Sequence, residues 1–189
     1  MVGPVDWCLH DRVRAKAKVA IVIAVRPCTL VDLPFALSIT NELIPTTTIA
    51  WTDVLVEPAA RMTWLADQEA RGFPVLVAVD SDSDEVVGIA SYDDFRDTLH
   101  WEGYRFTVEH SIHVRGDRRG SGTGRVLLEA LIAHARSAGI HVMVGAIDAD
   151  NAPSLRFHER MGFVEVARLP ETGFKFGRWL DLILMQRVL

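Results

Sequence analysis

Apolar and polar positions alternate most cleanly from Phe106 to Val114. Phe106, Val108, Ile112 and Val114 share one face, and Thr107, Glu109, Ser111 and His113 share the other. His110 is the exception on the apolar side. This pattern predicts a strand with one packed face and one polar face. Val19 to Val25, rich in β-branched residues, predicts a buried strand that Arg26-Pro27 ends. Phe73 to Val79 and Val86 to Tyr92 read as two strands joined by the polar turn Asp80-Ser81-Asp82-Ser83-Asp84. His141 to Asp148, Phe163 to Leu169 and Leu180 to Val188 read as three more strands. Helical spacing covers Leu30 to Ile44, Pro58 to Arg71, about Arg125 to Ser137, and Ala152 to Met161. Pro45, Gly72, Gly139 and Gly162 stand where these helices should stop. Thr46 to Trp51 reads as a loop with some strand character.

The order is one strand, two helices, a three-strand meander and then strand–helix alternation. It predicts an α/β (α+β) domain, a mixed sheet with helices on its faces. Residues 1–18 form no apolar face and read as an N-terminal extension. Residues 19–189 read as one domain.

Composition narrows the function. Of 189 residues, 49% are hydrophobic and 24% charged, the balance of an ordinary globule. With 20 basic and 25 acidic residues the net charge is −5, which argues against a nucleic-acid partner. The longest unbroken apolar run, Val19 to Val25, falls well short of the roughly 20 residues a membrane helix needs, so no membrane partner is expected. No secretory signal is visible at the N-terminus, and Cys8 and Cys28 are too few for a disulfide framework. A cytoplasmic location is expected. No metal is expected either. Asp80, Asp82 and Asp84 alternate as in a calcium loop, but Glu85 and Ser91 hold the positions that need Gly and Glu. His110 and His113, three apart on a strand, point to opposite faces.

The chemistry gathers after Val114. Arg119-Gly120-Ser121-Gly122-Thr123-Gly124 lies between a strand and a helix. Glycines let backbone N–H groups approach a ligand, and a helix N-terminus adds unpaired donors and partial positive charge. Together these make a candidate diphosphate cradle, to which Arg118, Arg119 and Arg125 can add charge. The loop lacks the Lys-Ser/Thr of a P-loop and the spacing of a dinucleotide fingerprint.

Arg119-x-x-Gly122-x-Gly124 resembles the acetyl-CoA signature of the GNAT N-acetyltransferase superfamily. Asn151-Ala152-Pro153-Ser154 and Met161-Gly162-Phe163 resemble its second conserved block. Three segments resemble the phosphinothricin N-acetyltransferase group more closely: Tyr104 to Glu109, Leu155 to Glu159, and Gly173 to Asp181. The resemblance covers about residues 19–189. It implies the GNAT fold, with a mostly antiparallel central sheet. It implies transfer of an acetyl group from acetyl-CoA to the free amine of a small glutamate-like amino acid, of phosphinothricin or methionine sulfoximine type, by a homodimer.

The resemblance also assigns residues. Glu109, on the polar strand face, is the general-base candidate; from spacing alone it could equally be a structural ion pair. His158 stands where many members of the wider superfamily carry tyrosine, and agrees with the phosphinothricin group. Its role is open between base partner and thiolate acid. The backbone of Ser111, Ile112, His113 and Val114 is expected to hydrogen-bond the pantetheine arm and supply the oxyanion donor. Arg119, Gly120, Ser121, Gly122, Thr123 and Gly124, with Asn151 and Ser154, are expected to hold the rest of the cofactor; Asn151 can also be a helix cap. Thr48, Trp51, Tyr104, Lys175 and Trp179 border the expected amine pocket. Lys175, Arg105 and Arg178 are the cations available to an anionic acceptor. Two alternatives keep the fold: another small amine or a peptide N-terminus as acceptor, or a CoA-binding regulator without turnover. Glu109 and His158 argue against the regulator.

Overall fold

The computed structural model describes residues 22–189. The expected extension and the start of the first strand lie outside the described residues. The elements are β1 (Ile23–Pro27), α1 (Leu33–Leu43), α2 (Pro58–Ala70), β2 (Val75–Asp80), β3 (Glu85–Asp94), β4 (Thr107–Val114), α3 (Thr123–Ser137), β5 (Val142–Asp148), α4 (Ala152–Arg160), β6 (Val164–Lys175) and β7 (Arg178–Val188). They form one seven-stranded sheet in the order β1-β2-β3-β4-β5-β7-β6. Every pairing is antiparallel except β4 with β5.

Strand alternation divides the core in two. Val77, Val79, Val86 and Ile89 pack under α1 and α2 with Leu33, Ala36, Ile39 and Leu65. Ala78, Val87, Ala90 and Val108 pack on the opposite face with Leu127, Leu128 and Leu131 of α3. The predicted alternation of β4 therefore has a concrete result. Glu109, Ser111 and His113 look toward α1 and α2, while His110 looks toward α3 and α4.

The single parallel pairing positions the site. β4 and β5 are in register only from Thr107 opposite Val142 to Glu109 opposite Val144. Beyond Glu109 the strands part, and the β5-facing edge of β4 from His110 to Val114 has no strand partner among the described residues. Its far edge stays paired with β3, Ser111 opposite Ser91 and Val114 opposite Gly88.

β6 runs six residues past its expected end at Leu169, and β7 starts at Arg178. Lys175 pairs with Arg178 across a two-residue turn in which Phe176 and Gly177 both have positive φ, 51° and 73°. That geometry matches the twist of a hairpin. The polar stretch after Leu169 is absorbed as an irregularity in the register before Gly173.

Candidate active site

The gap between β4 and β5 is flanked by the glycine loop that leads into α3. Gly120 and Gly122 have φ of 73° and 96°, values an L side chain resists. Gly122 is the residue before the first turn of α3. The N–H groups of Gly120, Gly122, Thr123 and Gly124 make no hydrogen bond among the described residues. They are the donors a diphosphate would need. The expected arginines divide. Arg118 is tied to the buried Asp80 at 2.9 Å and Arg125 to Glu129 at 3.1 Å. Arg119 is exposed and makes no ion pair among the described residues. Free amides, an unpaired arginine and an unpaired strand edge suit a CoA diphosphate and its pantetheine arm. Asn151 caps α4, its Oδ1 accepting from Ser154 N at 3.2 Å.

On the α1–α2 face lies a cavity of about 350 Å³. Glu109, Ser111 and His113 form its floor, with Ser91 and Asp93 of β3, and Arg61, Trp64 and Gln68 of α2 form its wall. The Glu109 carboxylate makes no hydrogen bond or ion pair with any described residue. Burial raises its pKa, and the charge of Arg96 opposes the rise only in part. Asp93, by contrast, is held by Arg71 at 2.8 Å and by Gln68 at 2.9 Å.

Across the sheet, His158 is 3% exposed and stacks on His110, ring centroids 5.1 Å apart. Gly145 of β5 leaves the room: a Cβ there would stand 3.0 Å from His110 Nε2 and 3.4 Å from His158 Nε2. His158 Nδ1 donates to Ser154 O at 2.8 Å. A carbonyl can only accept, so this bond fixes the tautomer and leaves Nε2 with a lone pair. That Nε2 is buried and has no partner among the described residues. Burial lowers the pKa of His158, so the neutral ring is favoured.

His110 makes a stability prediction. Burial, with His158 beside it, pushes its pKa from 6.5 down to about 3. Between those values the unfolded chain binds more protons than the folded one. Stability is therefore full above the unfolded value and falls as pH drops toward the folded one. Denaturant unfolding should show this loss on acidification. His110→Phe should flatten it by up to roughly 1.4 kcal/mol per pH unit.

The expected acceptor residues do not line the cavity that holds Glu109. Thr48 donates its hydroxyl to Asp148. Trp51 packs against Gly173, where any Cβ would overlap its ring. Tyr104 is 42% exposed beside Phe95. Lys175 is a correction. It is 1% exposed, and Nζ donates to Ile44 O at 2.6 Å, Thr47 O at 2.8 Å and Ala50 O at 2.6 Å. An ammonium has three protons, so none remains for a substrate. Arg178 pairs with Asp150 at 2.8 Å, and Arg105 stacks on Phe106 while donating to Glu102 O. The sequence reading missed the α2 wall. Arg61, Trp64 and Gln68 are three and four apart, the spacing of one helix face, and that stripe was the available signal.

Comparison with known proteins bears on this geometry. Residues 36–163 match the model of the acetyltransferase (GNAT) family. The L-methionine sulfoximine/L-methionine sulfone acetyltransferase of Pseudomonas aeruginosa is 47% identical over 163 residues, 86% of this chain and 92% of that protein. The phosphinothricin N-acetyltransferase of Alcaligenes faecalis is 34% identical over 159 residues, 84% of this chain and 78% of that protein. A crystal structure of a phosphinothricin acetyltransferase from Sinorhizobium meliloti in complex with acetyl-CoA superposes with a TM-score of 0.83 at 30% identity, covering 88% of each chain. No described helix is long and apolar enough to cross a membrane. The splayed strands, the glycine loop and these likenesses agree: the chain belongs to the GNAT family of acetyltransferases.

Proposed function

We propose that this acetyltransferase moves the acetyl group of acetyl-CoA to the α-amine of a small amino acid of methionine sulfoximine, methionine sulfone or phosphinothricin type. The carrying observation is Glu109, an unpaired carboxylate with a raised pKa at the point where β4 and β5 part. The identity to the Pseudomonas aeruginosa and Alcaligenes faecalis enzymes supports the acceptor class.

Acetyl-CoA supplies a thioester carbonyl activated toward amines. The amides of Gly120, Gly122, Thr123 and Gly124, with Arg119, would hold its diphosphate. The free edge of Ser111 to Val114 would hold its pantetheine arm, and an N–H near Ile112 or Val114 would meet the developing oxyanion. Asn151 and Ser154 stand at the head of α4 beside this path. Glu109, directly or through water, removes a proton from the acceptor ammonium. Its raised pKa brings it closer to the operating pH, where a general base is most effective. The fixed tautomer of His158 favours a proton-accepting role over that of thiolate acid. Nε2 carries a lone pair, and burial opposes the charged ring that would donate.

The enzyme works as a cytoplasmic homodimer in this reading. Exposed Leu99, Trp101, Phe174, Phe176 and Trp179 supply the apolar surface a second copy would cover. The test is CoA thiol release with a panel of amines. Methionine sulfoximine, methionine sulfone and phosphinothricin should react, and silence toward all free amino acids and their analogues would overturn the proposal.

A further inference from the structure

An amino acid that presents its amine to Glu109 brings a carboxylate into the same cavity. Burying that charge is costly unless a cation meets it there. Lys175, Arg105 and Arg178 are engaged elsewhere, as described above. Among the described residues lining the cavity, Arg61 is the one lysine or arginine.

Arg61 has the attributes of a preformed anion site. Its guanidinium lies over the Trp64 ring, 4.0 Å from the centroid. Contact with the ring face steadies a guanidinium, and a guanidinium so held can still meet a carboxylate through two N–H groups. Its Nε is buried and without a hydrogen bond among the described residues. No described carboxylate pairs with it, although Asp93 and Asp94 line the same cavity, because Arg71 holds both. Its charge also acts on the floor: with burial and Arg119, it disfavours the charged form of His113. Arg61 shares the cavity lining with Ser111 and His113, on the stretch of β4 whose edge is free.

We propose that Arg61 determines acceptor specificity by binding the α-carboxylate of the amino acid whose amine reaches Glu109. This rests on the acetyltransferase reading above and adds to it a requirement for a carboxylate beside the reacting nitrogen.

The test compares L-methionine sulfoximine with its carboxylate-free counterpart, 3-aminopropyl methyl sulfoximine, in wild type and Arg61→Gln. The readout is the ratio of kcat/KM for the acid to that for the amine. It should fall roughly 100-fold in Arg61→Gln, mainly through KM for the acid. Arg61→Lys should recover part of it, keeping the charge without the fork. Structural damage lowers both substrates together and leaves the ratio intact, so an unchanged ratio overturns the anchor. If wild type acetylates amino acids and the ratio does not move, the anchor alone fails. If wild type acetylates only the carboxylate-free amine, the anchor and the amino acid assignment fail together.

Discussion

Glu109→Gln should lower turnover by roughly two orders of magnitude, the scale of a lost general base, with little change in acetyl-CoA affinity. The substitution is nearly isosteric. The carboxylate it replaces makes no hydrogen bond or ion pair with a described residue, so little structure depends on its charge. A structural ion pair would behave differently, since its loss would leave a partner buried and uncompensated. The pH profile adds a second reading. Glu109 acts only when ionised, and burial raises its pKa above the ordinary carboxylate value. Activity should therefore fall as pH drops through that raised value, and the acid limb should disappear in Glu109→Gln. Calorimetry with acetyl-CoA separates the outcomes: a parallel loss of cofactor binding would return Glu109 to a structural role.

The part of this site legible in the sequence is the part fixed by local rules. Alternation along β4 separates Glu109 from His110 in the sequence itself, because a strand has only two faces. Glycines at 120 and 122 announced a turn that no L side chain favours, and Asn151 announced a helix start. What stayed hidden depends on contacts distant in sequence. Arg61 and Gln68 carry no site signal of their own in the sequence, and become cavity residues only because β3 and β4 lie beneath them. His158 could be placed on α4, but its tautomer depends on a carbonyl one turn away. The length of β6 depended on a non-glycine residue, Phe176, entering the left-handed region. Composition does not announce that step, and the hairpin pairing of Lys175 with Arg178 stabilises it.

Lys175 is the sharpest case, and Lys175→Met should destabilise the fold by about 3 kcal/mol. The three carbonyls it serves lie 125, 128 and 131 residues earlier in the chain. They belong to the segment from Ile44 to Ala50, which has no helix or strand to satisfy its backbone. The ammonium acts there as a three-way clamp, joining the start of the α1–α2 connection to the tip of the β6–β7 hairpin. Methionine fills a similar volume and removes the cost of burying a charge, but leaves three acceptors without their donor. For a chain of this size the loss corresponds to a fall in Tm of roughly 6–12 °C. The same segment carries Thr48 and positions Trp51 against Gly173, none of which lines the cavity beside Glu109, so KM for the acceptor should change little. The two readings of Lys175 predict different pairs of measurements. A substrate cation, once removed, would weaken acceptor binding and leave Tm in place. The clamp requires Tm to fall while acceptor binding holds, and a Lys175→Met enzyme with unaltered Tm would rule it out.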